Sequence, residues 1–355
     1  MENYSVINEL RCKVDWIRVT LHDESLTPEH VMEILGYSPE NFSLAKCGAN
    51  GYRVQHRNML GLSILSDGNE GMGIHVSIPG SAMSDCLEHF AYDHEITIGD
   101  LALARLLETL LQYEGRFTRI DLATDDLGGN YYSVDELEEH LRSGKSVISK
   151  WRSWRPVADY DFDGNLVTGK TVYLGKGSSD LMLRVYDKQA EQNSKLPEDS
   201  EERIDFAWVR WELEAKKDYA HRIAEYLASG ETIGSVAVGI LKQYISIHIP
   251  GEGRKDRLPV DPKWDAFCRG VEKLSLYVAP PETTIEQKRS YLIQQCGRSL
   301  AMVIEAEGES LAIVDDMWKS GLERMKPEDR DQIEDYKYRK AVQKMRELDL
   351  LEELV

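Results

Sequence analysis

The segment LMLRVYDK, residues 181–188, places a tyrosine between two cations. If the segment is a β-strand, alternate residues from Leu181 face a core, whereas Arg184, Tyr186 and Lys188 share the opposite face. A tyrosine with an ordinary pKa of about 10 is a weak nucleophile, but neighbouring positive charge favours the phenolate and attracts an anionic substrate. The pattern therefore predicts a tyrosine nucleophile that acts on a phosphodiester.

Two further segments carry charged residues at alternate positions. FTRIDLATD, residues 117–125, and WVRWELEAK, residues 208–216, are each predicted to be a strand with one apolar and one polar face. The polar faces hold Arg119, Asp121, Asp125, Arg210, Glu212 and Glu214. Clustered carboxylates repel one another, and a hard divalent ion with oxygen ligands is the simplest cation to lie between them. Asp121 is the first candidate ligand and Glu212 the second, whereas Asp125 and Glu214 can each fall one pleat too far from the ion.

These segments resemble, in order and spacing, the motifs of the replication initiation factor family. That family contains rolling-circle replication initiators of small Gram-positive plasmids, related filamentous-phage proteins and relaxases of integrative conjugative elements. The similarity covers about residues 10 to 250, including the early segments VDWIRVTL and GIHVSIPG, and the R-x-Y-D-K motif is its most specific part. The family's nicking tyrosine lies in this motif and matches Tyr186. Its arginine–aspartate motif matches Arg119 and Asp121, and its arginine–glutamate motif matches Arg210 and Glu212.

The resemblance implies a metal-dependent DNA nicking and joining enzyme that cuts one strand at an origin, to start rolling-circle replication or conjugal transfer. Tyr186 would attack the scissile phosphate, keep the 5′ phosphate as a phosphotyrosine and release a free 3′ hydroxyl, without ATP. We expect Mg²⁺ or Mn²⁺, held by Asp121 and Glu212 with Asp125 as a further ligand, to polarise the phosphate. Three basic side chains would stabilise the charge that develops on the phosphoryl oxygens: Arg184, Lys188 and Arg210.

Histidines contribute little to the predicted metal site. None of the nine histidines forms the His-hydrophobe-His pair of the better-known rolling-circle nucleases. His75, in the middle of an apolar strand, is interpreted as a core histidine and not as a ligand. The acidic strands must therefore supply most of any metal site.

The overall charge argues against nucleic acid, but its distribution leaves one basic region. The formal net charge is −19, and non-specific DNA affinity comes largely from Lys and Arg at phosphates. Between residues 142 and 176, however, basic residues outnumber acidic ones. The sequence WRSWR in this region interleaves aromatic and guanidinium groups, which suits unpaired bases and phosphates. We expect DNA contacts from Arg119, Trp151, Arg152, Trp154 and Arg155, and the alternative is that the two tryptophans pack into a core.

Hydrophobic periodicity predicts an α+β fold with a largely antiparallel sheet flanked by helices. The resemblance implies that this fold is a divergent rolling-circle nuclease. Residues 1–250 are assigned to the catalytic nicking domain with its N-terminal half, and residues 251–355 to a mainly helical C-terminal region. The sequence PGEG at 250–253 marks this change, because apolar residues afterwards recur every three to four positions. Capping boxes are predicted at Ser133 and at Thr283.

Two alternative functions compete with nicking. GNLVTGKT, residues 164–171, fits the phosphate-binding loop of an ATPase, but such a loop follows a buried strand and opens a helix. Here the preceding YDFD is polar and the following VYL continues as a strand, so a hairpin is favoured.

Tyr173 and Lys176 have the Tyr-x-x-Lys spacing of other nicking families, but the adjacent glycines favour a loop. A non-catalytic DNA-binding regulator on the same scaffold is the second alternative.

The expected partners follow from this assignment. They are origin DNA, single-stranded or in a hairpin, a second copy of the chain and a host helicase of the superfamily 1 type. No apolar run is long enough to span a bilayer and no signal sequence is visible, so we expect a cytoplasmic protein without membrane contact. The five scattered cysteines lack C-x-x-C spacing and are expected to be reduced thiols.

Overall fold

A computed structural model describes residues 5–164, 166–197, 199–276 and 285–352 of the protein. The chain divides into two compact units, Met1–Val278 and Ala279–Val355. The described residues that follow the predicted boundary at 250 belong to the first unit as far as residue 276. The predicted capping box at Thr283 and position 165 of the phosphate-loop pattern lie outside the described residues.

The first unit is built on one large sheet. Its strands are β1 (Ser5–Ile7), β2 (Leu10–Leu21), β3 (Ser43–Leu44), β4 (Val54–Arg57), β5 (Ser63–Ser66), β6 (Ile74–Pro79), β7 (Gly115–Leu127), β8 (Val147–Ser149), β9 (Trp154–Tyr160), β10 (Leu166–Leu174), β11 (Leu181–Asp187), β12 (Trp208–Lys216) and β13 (Ile245–Ile247). Within the described residues, eleven strands form the sheet in the order β3-β4-β5-β6-β2-β7-β12-β11-β10-β9, with β1 paired to β2. Strands β8 and β13 form a separate pair. Every pairing in this part of the chain is antiparallel.

The helices of the first unit are α1 (Pro28–Ile34), α2 (Gly80–Asp93), α3 (Asp100–Gln112), α4 (Val134–Ser143), α5 (Lys188–Asn193), α6 (Lys217–Ala228), α7 (Ile233–Tyr244) and α8 (Pro262–Phe267). All of them except α5, which has no buried residue, contribute buried side chains to the core that the sheet shares. Alternation along the strands turns Val185, Trp211 and Leu213 towards the helices, where each is at most 1% exposed. Burial of each such side chain contributes about 1.5–3 kcal/mol. The opposite side of the sheet, here called the polar face, carries the charged residues of β7, β11 and β12.

The predicted α+β fold with a largely antiparallel sheet is confirmed, and local signals placed several elements correctly. Segment 208–216 is strand β12, and segment 117–125 lies within β7. The capping box at Ser133 is present, because its hydroxyl accepts the Glu136 N–H while the Glu136 carboxylate accepts the Ser133 N–H. The helix that it starts ends at Gly144, which has a φ of 60°.

One sequence expectation needs correction, and one alternative that the sequence left open is decided. Lys188 does not lie on the strand but begins α5, because the Asp187 side chain caps that helix by accepting the Ala190 N–H at 2.8 Å. It therefore shares no strand face with Arg184. The phosphate-loop pattern does not open a helix, since its Lys170 lies within β10 and its ammonium pairs with Asp135 at 2.5 Å. The hairpin interpretation of that segment is the correct one.

The second unit is helical. It contains α9 (Ile285–Tyr291), a π-helical turn (Leu292–Cys296), α10 (Gly297–Ala306), α11 (Ala312–Arg324) and α12 (Pro327–Glu352). Several apolar side chains of α11 remain exposed, among them Trp318 at 62%. Within the described ranges, every helix is too short or too polar to cross a membrane.

Candidate active site

The three predicted site segments meet on the polar face, because β12 lies between β11 and β7. Residues that are opposite one another in register form rows across these strands and β2. The first row is Tyr186, Arg210, Asp125 and Arg11; the second is Arg184, Glu212, Ala123 and Lys13; the third is Met182, Glu214, Asp121 and Trp16. The tyrosine therefore shares one surface with the carboxylates and arginines that the sequence singled out.

Tyr186 leans from the first row towards the second. Its Oη donates a hydrogen bond to Glu212 Oε2 at 3.0 Å. The other oxygen of Glu212 accepts from Arg184 Nη2, so the carboxylate is bound on both sides. Glu212 is 1% exposed, whereas the side chain of Arg184 is 33% exposed. The nucleophile candidate, an acceptor for its proton and a cation therefore form one connected group.

The electrostatics of Tyr186 differ from the sequence expectation. Burial raises the pKa of its phenol well above the ordinary value, and the negative charge of Glu212 adds to the rise. The charges of Arg210 and Arg184 lower this pKa, but less, and both guanidiniums are already paired with carboxylates. The resting side chain is the neutral phenol, so flanking cations do not produce a phenolate here.

Arg210 is the most buried cation of the site, at 3% exposed. It donates to Asp125 through two parallel bonds, Nε to Oδ1 at 2.6 Å and Nη2 to Oδ2 at 2.8 Å. The indole N–H of Trp208 donates to Asp125 Oδ1 at 2.7 Å. Asp125, a candidate metal ligand from the sequence, is thus saturated by its protein neighbours.

Asp15 is a member of the site that the sequence analysis missed. The register of β2 against β7 shifts between Val14 and Trp16. Asp15 is therefore not opposite any residue of β7, and its side chain turns to the polar face. There its carboxylate lies 3.3 Å from Lys13 Nζ and 3.3 Å from Arg210 Nη1. Burial opposes its ionisation, but these two cations hold the pKa of Asp15 below its ordinary value. The only signal in the sequence is the three-residue spacing of buried Val14 and Ile17, which breaks strand alternation.

Asp121 pairs with Arg119 of its own strand. The guanidinium donates to both Asp121 oxygens, at 2.9 and 2.6 Å, and also reaches Glu214 at 2.8 Å. Burial nevertheless raises the pKa of Asp121 to about 6. Burial and the nearby charges of Glu212 and Glu214 together raise this pKa more than Arg119 lowers it. Arg119, expected at DNA, is therefore engaged within the protein.

The three candidate metal ligands do not form one ligand set in this arrangement. Each is paired with a different guanidinium: Asp121 with Arg119, Glu212 with Arg184 and Asp125 with Arg210. Across the described residues, no group of three acidic, histidine or cysteine side chains is gathered closely enough to hold a metal ion. Carboxylate oxygens suit Mg²⁺ or Mn²⁺ chemically, but a shared ion would have to displace an arginine. The divalent ion stays a prediction.

Lys188 reaches the site through the ring of Tyr186 and not through its hydroxyl. Its ammonium lies 5.5 Å from the ring centroid and pairs with Glu191 at 2.6 Å. The Arg184 guanidinium lies 5.8 Å from the same centroid. The two cations therefore flank the aromatic ring and fix its position.

The predicted DNA-contacting tryptophans are both half-buried and pack against the core. The indole of Trp151 donates to the Leu181 carbonyl at 3.0 Å, and the Arg142 guanidinium lies 5.7 Å from the Trp154 ring centroid. Arg152 and Arg155 are exposed. The packing alternative explains how the tryptophans are held, and their contact with DNA stays a prediction.

The comparisons with known proteins identify the family of the chain. The chain matches the replication initiation factor profile over residues 115–317, which is more than half of its length. It is 27% identical over 309 residues to a putative DNA relaxase, NicK, of Bacillus subtilis (strain 168), covering 86% of this chain and 84% of the relative. Its fold is similar to a solved rolling circle replication initiator protein from Geobacillus stearothermophilus, with a TM-score of 0.62, 27% identity and coverage of 76% of this chain and 100% of that one. The chain therefore belongs to the replication initiation factor family.

Proposed function

We propose that the protein nicks one strand of DNA at a specific site, with Tyr186 as the nucleophile, to start rolling-circle replication or strand transfer. Its similarity to a putative DNA relaxase and to a rolling circle replication initiator supports the general activity. In the reaction, a bond forms between Tyr186 Oη and phosphorus while the bond from phosphorus to the 3′ oxygen breaks. The 5′ phosphate stays on the tyrosine, and the 3′ oxygen leaves as a hydroxyl after taking a proton from water. The phosphotyrosine bond conserves the energy for rejoining, so ATP is not required.

The observation that carries this proposal is the 3.0 Å hydrogen bond from Tyr186 Oη to Glu212 Oε2. A general base must lie within hydrogen-bond reach of the proton that it removes. Glu212 would therefore take the phenol proton as the attack proceeds, which offsets the raised pKa of Tyr186. This role differs from the metal-ligand role that the sequence suggested for Glu212.

Arg184 is the cation best suited to the phosphate. Its side chain is one-third exposed, whereas Arg210 is 3% exposed and bound to Asp125 through two parallel hydrogen bonds. A guanidinium beside the nucleophile stabilises charge that develops on phosphoryl oxygens. We therefore assign charge stabilisation to Arg184 and a positioning role to Arg210, which is opposite Tyr186 in register and binds Asp125.

Mg²⁺ or Mn²⁺ remains a proposed cofactor, to which no step is assigned here. Calorimetric titration of the protein with Mn²⁺, repeated on Asp121→Asn, measures binding independently of nicking. Loss of binding in the variant would support a site at Asp121. Equal affinity in both proteins would remove Asp121 from the ligand set.

The test of the nucleophile uses supercoiled plasmid carrying DNA from around the protein's own gene, together with end-labelled oligonucleotides from the same region. We expect the parent protein to relax the plasmid and to retain the label covalently, and Tyr186→Phe to do neither. Tyr173→Phe is the matched control, because Tyr173 lies on the neighbouring strand β10, opposite Arg184 in register. A covalent adduct in Tyr186→Phe would place the nucleophile elsewhere. DNA binding by the parent protein without any adduct would favour the non-catalytic regulator.

A further inference from the structure

Arg18 differs from Arg119, Arg184 and Arg210 of the polar face because no carboxylate of the described residues lies in direct contact with it, although the charges of Asp121 and Glu214 act on it from nearby. Arg119, Arg184 and Arg210 each pair with a carboxylate. Among the described residues, no carboxylate is paired with Arg18, and its Nε is buried without a hydrogen-bond partner. A buried polar group left without a hydrogen-bond partner is destabilising. In a chain with 62 acidic and 43 basic residues, an arginine that no described carboxylate contacts directly keeps hydrogen-bonding capacity for an anion from outside.

The guanidinium of Arg18 is held in place by an aromatic ring. It lies 5.1 Å from the centroid of Trp16, and the Arg119 guanidinium lies 4.9 Å from the same centroid. The Trp16 indole N–H donates to the Ser77 hydroxyl at 3.3 Å, which fixes the ring. Cation–π contacts of this kind attract the guanidinium to the ring face and so favour one position for it.

The row of residues that contains Arg18 is rich in hydrogen-bond donors. Ser77, Arg18, Arg119 and Lys216 are opposite one another in register on β6, β2, β7 and β12, and the row itself contains no acidic residue. Arg119 and Lys216 both pair with Glu214 of the adjacent row, which leaves Arg18 as the guanidinium of the row without a direct ion pair among the described residues. Neighbouring strands are about 4.8 Å apart, so these groups form a band across the face. Hydroxyl, guanidinium and ammonium groups are the side chains that proteins use to contact nucleic-acid phosphates.

The row also has a fixed relation to the nucleophile. Arg119 is opposite Arg18, and Asp125 lies in the row of Tyr186, so six residues of β7 separate the two rows. At about 3.4 Å per residue, they are roughly 20 Å apart on one continuous face. This is a distance that a single DNA strand bound at Tyr186 spans with a few nucleotides.

We propose that Arg18, positioned by Trp16, binds a backbone phosphate of the single-stranded substrate, so that the strand crosses the polar face between Arg18 and Tyr186. The inference rests on the proposed function in one respect, that the substrate is DNA cut at Tyr186. It adds a contact on β2, on the side of the site away from the basic-aromatic segment at residues 151–155.

Binding of single strands in the Tyr186→Phe background tests the contact without cleavage. Fluorescence anisotropy with an oligonucleotide is measured at several salt concentrations for the background protein, Arg18→Gln and Arg18→Lys. We expect Arg18→Gln to lower affinity about tenfold and to reduce the salt slope by about 0.7, the value for one phosphate contact on a single strand, whereas Arg18→Lys keeps the slope. Arg222→Gln is the matched control, because Arg222 also lies over an aromatic ring, Tyr226 at 4.6 Å, but on helix α6 with Glu225 as partner.

Oligonucleotides with a single neutral methylphosphonate identify the phosphate. The contacted phosphate is the one whose modification weakens binding by the background protein but does not further weaken binding by Arg18→Gln. Unchanged affinity and slope in Arg18→Gln, in a protein with the parent melting temperature, would make Arg18 a packing residue and overturn the inference. Failure of the background protein to bind single strands would overturn it as well. Because no cleavage is involved, these outcomes are separate from the test of Tyr186 as nucleophile.

Discussion

The hydroxyl of Tyr186 and the carboxylate of Glu212 lie 3.0 Å apart, although the two residues are not opposite in register. Tyr186 is opposite Arg210, and Glu212 is opposite Arg184. The phenol therefore leans one pleat along the sheet to reach a carboxylate that Arg184 already holds. This diagonal contact keeps the phenol protonated at rest and provides the group that can remove its proton.

Glu212→Gln is predicted to slow nicking by about 10²- to 10⁴-fold, because an amide keeps the size and the hydrogen bond but cannot accept the proton. Single-turnover nicking rates at saturating Mn²⁺, with circular dichroism as the control for folding, measure the effect. Recovery of the rate with increasing Mn²⁺ would instead indicate a weakened metal site. A parent-like rate at all Mn²⁺ concentrations would remove Glu212 from the mechanism.

The buried pair of Arg210 and Asp125 leads to a prediction about stability. Arg210→Met leaves the Asp125 carboxylate, 5% exposed, without its main partner, and we expect a loss of about 3–5 kcal/mol in the free energy of unfolding. The double variant Arg210→Met with Asp125→Leu should recover most of that loss, since it removes both charges. Urea unfolding measures all three proteins. A double variant no more stable than the single one would contradict the proposed pairing.

Much of the fold was predictable because local pattern and tertiary structure agree. From Val209 to Lys216 the segment alternates strictly between apolar and polar residues and is buried on its apolar side, so its strand assignment needed no long-range information. The capping box at Ser133 involves only the four residues from Ser133 to Glu136, so it could also be predicted from the sequence. Alternation also placed the charged residues of each segment on one face, whereas the convergence of the three strands depends on the sheet order, in which β12 lies between β7 and β11.

The pairing of charges within the site was not predictable, because it depends on register and on single-residue irregularities. The bulge at Asp15 changes which face that residue occupies, and the cap at Asp187 removes Lys188 from the strand. Arg119 bonds a carboxylate two residues away on its own strand, so Asp121 meets an arginine before any metal ion. Sequence spacing identifies such residues as neighbours but does not identify their partners.

Arg155 is predicted to contribute to DNA binding through its charge. Its guanidinium lies 4.9 Å from the ring centroid of Tyr173, which is opposite Arg184 in register, so the cation extends the second row to the strand β9. We expect Arg155→Gln to reduce the salt slope of single-strand binding by about 0.7 and to leave the melting temperature unchanged. Anisotropy titrations at several salt concentrations measure the slope. A parent slope in this variant, with a reduced slope in Arg152→Gln, would assign the contact to the neighbouring arginine.

The last prediction concerns His75, which is 8% exposed on β6 and shares a 3.0 Å hydrogen bond between its Nδ1 and the Thr20 hydroxyl. Burial, assisted by the charge of Arg18, lowers the pKa of His75 to about 4. The unfolded chain takes up a proton near pH 6.5, whereas the folded protein does not until about pH 4, so stability falls as the pH drops between these values. From pH 7 to about pH 5 this loss should be about 2 kcal/mol, and His75→Gln should lack it. Urea unfolding at the two pH values measures the difference, with the exposed His22→Gln as control. An equal loss in His75→Gln and the parent protein would show that other groups cause the pH dependence.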